Sequence, residues 1–199
     1  MSRHIVKNVF CMMATNAAIY RPTDPPFKSP FGLPAFTPNV YVSKFTRIIG
    51  GTSAVPYSYP WIVRITNCDA NNCNVCGGTL LPPDLDNNSQ KTSSDLVVTA
   101  AHCVVTDSNV LVQPSQIILK FGNHRDDLVE AHEYYVKARR IVTIQGFDRQ
   151  TLLDDIAIIQ LAKTVTFNKF INAIRLPSKD YPSNPALCVA AGWGSYFED

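Results

Sequence analysis

Ile117-Ile-Leu-Lys-Phe121, Tyr134-Tyr-Val-Lys-Ala138, Arg140-Ile-Val-Thr-Ile144 and Ile156-Ala-Ile-Ile-Gln-Leu161 follow one another along the chain. Each is a short run rich in β-branched and aromatic residues; Gly, Asn and Asp residues lie between them, except that Arg139 alone parts the second from the third. Runs of this kind read as strands of an all-β barrel or sandwich. Trp61-Ile-Val-Arg-Ile65 and Leu96-Val-Val-Thr99 extend the pattern upstream. No long segment carries an apolar repeat of 3.6 residues, so no long helix is expected. Pro82 to Asp95 is polar and reads as a surface loop. It holds Asn87-Asn88-Ser89, the only Asn-x-Ser/Thr acceptor for glycosylation in the chain.

Composition bounds what this domain does. The chain has 199 residues, 46% hydrophobic and 17% charged, which suits one domain plus a remainder and excludes a largely disordered protein. The formal net charge is only +2 and the longest basic run is Arg139-Arg140. Neither nucleic acid nor an anionic membrane is therefore expected as a partner. No uncharged apolar run reaches the roughly 18 residues of a membrane span.

The segments before the strands have their own character. Arg3, His4 and Lys7 precede an apolar stretch centred on Val9 to Ala14, followed by Ala17-Ala18. Residues 1–20 thus have the layout of a secretory signal peptide, although Asn8, Thr15 and Asn16 make the stretch more polar than usual. Residues 22–38 carry six prolines. Each removes a backbone donor and fixes φ, so an extended, exposed linker is expected.

Three segments point to chemistry. Arg47-Ile48-Ile49-Gly50-Gly51 places a basic residue at the end of that linker, where proteolytic nicking concentrates. Val97-Val98-Thr99-Ala100-Ala101-His102-Cys103 runs a strand into a turn of small residues that carries an imidazole beside a cysteine. Imidazole titrates near neutrality and can take up and return a proton at physiological pH. A lone histidine is more often an ordinary loop residue, and His4, His124 and His132 keep that reading. Asp154-Asp155-Ile156-Ala157 sets a carboxylate at the head of an apolar strand. A carboxylate drawn partly into the core needs a donor, and a His N–H is a natural one. The alternative is an aspartate that merely caps the strand.

Together these segments resemble the trypsin-like, or chymotrypsin-family, serine endopeptidases. The resemblance rests on Arg47-Ile-Ile-Gly-Gly51, Tyr59-Pro-Trp61, Cys76-Gly-Gly78, Thr99-Ala-Ala-His-Cys103, Asp155-Ile-Ala157, Arg175-Leu-Pro177 and Gly192-Trp-Gly194, all in family order. It implies two six-stranded antiparallel barrels with the active site between them. It implies His102 as general base and Asp155, rather than Asp154, as the carboxylate that orients it. It implies Arg47–Ile48 as the zymogen activation bond and a disulfide between Cys76 and Cys103. It further implies a protein or peptide substrate, an activating protease, protein inhibitors as partners, a secreted location and no cofactor or metal.

The expected organisation is a signal peptide over 1–20, a proline-rich pro-segment over 21–47 and a first barrel over 48–165. A connection over 166–182 and the start of a second barrel over 183–199 complete it. The family's nucleophile lies in a Gly-Asp-Ser-Gly-Gly segment, and no such segment occurs among these 199 residues. The chain as it stands is therefore expected to be inactive, and Ser195 is not a nucleophile candidate. The rival reading is a non-catalytic, protease-like binding protein or short isoform. Cys68 and Cys73 flank a short polar loop and are candidates for a local bridge. Zinc held by Cys68, Cys73 and Cys76 is the alternative, but it lacks a second ligand pair. Some family members tether the pro-segment through a cysteine just before Leu-Pro, and Asn172-Ala-Ile-Arg-Leu-Pro177 has none. Glu130 and Glu133 are too poor a ligand set for a calcium loop.

Overall fold

A computed structural model describes residues 11–12, 31–37, 53–68, 72–176 and 189–193. Within them the chain is all-β apart from three short 3₁₀ turns. Strand β1 is Cys11–Met12, β2 Ile62–Cys68, β3 Cys73–Leu80, β4 Ser93–Thr99, β5 Ile117–Phe121, β6 Tyr134–Thr143, β7 Ala157–Thr166 and β8 Val189–Ala190. Strands β2 to β7 close an antiparallel barrel in the order β2-β3-β4-β7-β6-β5, and β5 returns to β2. This is the expected first barrel. The short strands β1 and β8 pair with each other outside it, Cys11 opposite Ala190. Among the described residues no helix is long and apolar enough to cross a membrane.

Alternation builds the barrel interior. Val63 and Ile65 on β2, Ile117 and Leu119 on β5, and Ile159 and Leu161 on β7 are almost wholly buried. Inward and outward residues alternate along a strand because its side-chain period is two. Two bulges interrupt that period. One, at Ala138/Arg140 of β6, lets Arg139 and Arg140 both face solvent while Val136, Ala138 and Ile141 stay inside. The two runs read separately as Tyr134–Ala138 and Arg140–Ile144 are one strand for this reason. The other bulge, at Ser94/Leu96, begins β4 earlier than the apolar run at Leu96 suggests.

Strand β3 has no counterpart in the apolar runs. Its sequence, Cys-Asn-Val-Cys-Gly-Gly-Thr-Leu, is poor in strand-favouring residues. Tertiary contact decides it. A Cβ at Gly78 would lie 2.8 Å from Ile65 Cδ1, 2.9 Å from Val97 Cγ1 and 3.1 Å from the Val98 carbonyl oxygen. Side chains of β2 and β4 therefore close over β3 where it has no side chain of its own.

The proline-rich segment is not wholly an exposed linker. Phe31 is 2% exposed and belongs to the main core, and Gly32 is buried beside it. Proline content restricts the backbone, but it does not stop an intervening aromatic ring from burying its surface. The segment following β7 is held as well. The Asn87 side chain donates to the Leu176 carbonyl at 2.9 Å and accepts from the Leu176 N–H at 2.8 Å. A glycan on Asn87 would leave its nitrogen a single N–H for that pairing.

The Gly78 contacts make a specific prediction. Gly78→Ala should lose about 1–3 kcal/mol of unfolding free energy through overpacking, read from urea denaturation. Gly192→Ala, where an added Cβ meets nothing within 4 Å, should leave the midpoint unchanged.

Candidate active site

Strand pairing brings His102 and Asp155 together across a long separation in sequence. Strands β4 and β7 are neighbours, with Thr99 opposite Ala157. His102 follows Thr99 by one tight turn, and Asp155 lies two residues before the start of β7 on the adjoining edge. The turn is compact because Ala100 and Ala101 are small and buried. The N–H of Cys103 donates to the Ala100 carbonyl at 3.2 Å, and that of Val104 donates to Ala101 at 3.0 Å. The Thr99 hydroxyl donates to the Gly77 carbonyl at 2.9 Å, tying the end of β4 to β3.

Two contacts orient the imidazole. His102 Nδ1 lies 2.6 Å from Asp155 Oδ2, and the His102 backbone N–H donates to Asp155 Oδ1 at 2.8 Å. Both side chains are 21% exposed. A carboxylate only accepts, so Nδ1 carries the proton that faces it, and in the neutral ring the lone pair is then on Nε2. Asp154, its neighbour, is exposed and makes no contact of this kind with His102.

The loop leading to Asp155 is strained and braced. Leu152 and Asp154 hold φ of 57° and 55°, the left-handed region that costs non-glycine residues energy. Asp148 braces the loop from its other end. Its carboxylate accepts from the Gln150 N–H at 2.8 Å and from the Thr151 hydroxyl at 2.9 Å. These bonds, that of Gln150 foremost, hold the Asp148 carboxyl below its usual range. Asp148 did not stand out in the sequence. The available signal was an aspartate followed two and three residues later by its turn donors.

The cysteines lie where two bridges form. Cys76 on β3 is bonded to Cys103, directly after His102. Cys68 is bonded to Cys73 across the β2–β3 hairpin. With these sulfurs paired, Cys68, Cys73 and Cys76 offer zinc no thiolates. Arg47, Ile48, His4, Cys188 and Ser195 lie outside the described residues. His124 and His132 both pack against the Tyr57 ring. His132 stacks on Phe170 with ring centroids 3.6 Å apart.

Glu130 and Glu133 hold the loop between β5 and β6. Burial works against the charge on Glu130, yet the N–H groups of His124 and Arg125 and the Tyr57 hydroxyl outweigh it and keep its carboxyl below 4.5. Burial also opposes the charge on Glu133. Hydrogen bonds from Tyr135 and Lys120 outweigh it and lower that carboxyl in the same way. In return, the Tyr135 hydroxyl is pushed up to about 12, first by that hydrogen bond to Glu133. An internal ammonium, Lys120, thus sits 3.2 Å from Glu133. Among the described residues, no group of three or more His, Cys, Asp or Glu is arranged to hold a metal ion.

The family model described as Trypsin matches residues 48–199. The chain belongs to the trypsin family. Ovochymase-2 of Mus musculus is 30% identical to it over 163 residues, which cover 81% of this chain and 24% of that protein. Chymotrypsin-C of Bos taurus is 30% identical over 178 residues, covering 86% of this chain and 57% of that protein. The chain thus spans about a quarter and just over half of the lengths of these trypsin-family relatives. A solved structure described as "Structure of GrC" shares the fold, with a TM-score of 0.56 at 18% identity, covering 69% of this chain and 52% of that one.

The glutamates set an acid limit for this trypsin-family barrel. A carboxyl lowered in the folded state contributes stability that is fully present above its unfolded value, about 4.5, and is lost as pH falls through the folded value. Hydrogen-exchange protection of the His124 and Arg125 amides should therefore fall as pH drops below about 4.5. Glu130→Gln should lose about 1.5–3 kcal/mol at pH 7 and show a flatter acid limb in denaturant titrations.

Proposed function

We propose that this chain carries the general base and the orienting carboxylate of a trypsin-like serine endopeptidase, made as a secreted zymogen. The observation that carries the reading is the double contact between His102 and Asp155. It leaves Nε2 of His102 as the free base. In peptide-bond hydrolysis through an acyl-enzyme, that nitrogen takes the nucleophile's proton and returns it to the leaving amine. Asp155 holds the tautomer and stabilises the imidazolium. The nucleophile of this chemistry belongs to a Gly-Asp-Ser-Gly-Gly segment, which these 199 residues do not contain. The 199-residue polypeptide is accordingly inactive by itself.

The rest of the proposal follows the same family logic. Residues 1–20 act as the leader and 21–47 as the pro-segment. Residues 48–165 form the first barrel, 166–182 connect, and 183–199 begin the second. An activating protease cuts Arg47–Ile48, and proteins or peptides are the substrates. Two disulfides within the described residues suit an oxidising, extracellular location.

Two experiments test this. Nuclear magnetic resonance of the wild-type chain should show a low-field proton for Nδ1–H of His102. Asp155→Asn should abolish it by favouring the other tautomer, whereas Asp154→Asn should leave it in place. Brief digestion with a protease of trypsin specificity should yield Ile-Ile-Gly-Gly as the first new N-terminus. The product should neither hydrolyse Arg, Phe or Ala esters nor take label from a serine-directed phosphonylating probe. An intact 47–48 bond after extensive digestion would sink the zymogen reading, and a labelled serine would show that the nucleophile lies in this chain.

A further inference from the structure

The segment upstream of the proposed cleavage bond grips the barrel at three points. Phe31, 2% exposed, meets the Phe167 ring edge-on with centroids 5.6 Å apart. Gly32 donates its N–H to the Ala173 carbonyl at 2.9 Å. Its φ is +74°, and a Cβ there would lie 3.2 Å from both Cβ and the backbone N of Arg175, so glycine alone fits. Phe36 stacks on Phe170 with centroids 6.0 Å apart and planes 20° from parallel. The receiving surface is the stretch Phe167 to Arg175 that follows β7. A phenyl ring buried this fully removes roughly 150–250 Å² from water. Pro34, inside the anchor, has its φ fixed in advance, so less freedom is lost on docking.

We propose that Phe31–Phe36 is a non-covalent anchor that keeps the N-terminal segment on the barrel after the chain is cut downstream of it. Cutting then gives a two-chain protein whose disulfides among the described residues all lie downstream of the cut. Cys11 is the only cysteine upstream of Arg47, and the four paired cysteines are bonded within the barrel. That the natural cut falls at Arg47–Ile48 rests on the function proposed above, but the anchor itself does not. Before cutting, the linker supplies an effective concentration in the millimolar range. Afterwards the rings and the Gly32 hydrogen bond hold the segment, together with the pairing of β1 on β8.

The test uses the full chain with Cys11→Ser, which removes every covalent route across the cut. A recognition sequence for an unrelated site-specific protease is inserted between Val42 and Ser43. After digestion the two pieces should co-elute in native size exclusion and separate in denaturing electrophoresis without reductant. Phe31→Ala should weaken retention on the order of 100-fold or more. Excess synthetic peptide spanning Lys28 to Pro38 should displace the N-terminal piece from the cut wild-type barrel, a readout that does not depend on the variant folding. Release of the N-terminal piece from a still folded barrel, retention indifferent to Phe31→Ala, or failure of the peptide to compete would each overturn the anchor. The Arg47–Ile48 bond stays intact throughout. A failure here leaves the zymogen reading standing, and an uncut Arg47–Ile48 bond leaves the anchor standing.

Discussion

Thr99 pairs with Ala157, and the geometry of the dyad depends on that register. A slip of one residue between β4 and β7 would send every side chain of one strand to the opposite face. It would also carry Asp155 away from the turn that holds His102. The register is guarded from both sides. On one side, Ile159, Leu161 and Val97 are buried and tolerate no exchange of faces. On the other, the Cys76–Cys103 bond and the Thr99–Gly77 hydrogen bond tie the end of β4 to β3. The dyad therefore sits on a turn and a strand-end loop that barrel strands brace, and packed elements hold side-chain geometry more precisely than free loops do.

Carboxylates in this protein are placed where N–H and O–H donors converge. Asp155 takes two donors from His102, Glu130 takes backbone N–H groups of His124 and Arg125, and Glu133 faces Lys120 and Tyr135. Withdrawing a carboxylate from water is costly unless its oxygens are met in this way. The contrast between Asp154 and Asp155 makes the point. They are neighbours of identical chemistry, yet one faces solvent with a left-handed backbone and the other accepts both hydrogen bonds. Strain at Leu152 and Asp154 persists because the Asp148 turn and the β7 register hold both ends of the loop.

The outside of the barrel carries organisation of its own. Residues after β7 turn back across it, clamped by Asn87 at Leu176 and by Asn168, whose side chain accepts the N–H groups of Phe170 and Ile171. This returning stretch forms the bed on which Phe31 and Phe36 lie. One continuous apolar surface thus joins the segment before the first barrel to the one after it.

Much of the architecture was legible in the sequence because local pattern carries it. The runs at Ile117, Tyr134 and Ile156 read as strands since their branched and aromatic side chains suit a pleated, half-buried surface. His102 and Asp155 were legible through their flanking motifs, each of which is local in the chain. What the sequence concealed was every feature set by contact between distant residues. Strand β3 forms although its composition argues against it, because Gly78 leaves room for Ile65 and Val97 to meet over it. The proline-rich stretch reads as exposed, yet Phe31 enters the core because Phe167 and Ala173 return to meet it. Glu130 gains part of its role from the Tyr57 hydroxyl, a donor 73 residues away that only folding brings within reach. Residue type and local spacing, by themselves, determined most of the strands, though not β3, and which side chains can move a proton. Register, closure and close approach decided which of those side chains meet, since these are properties of chain segments far apart in sequence that only folding brings side by side.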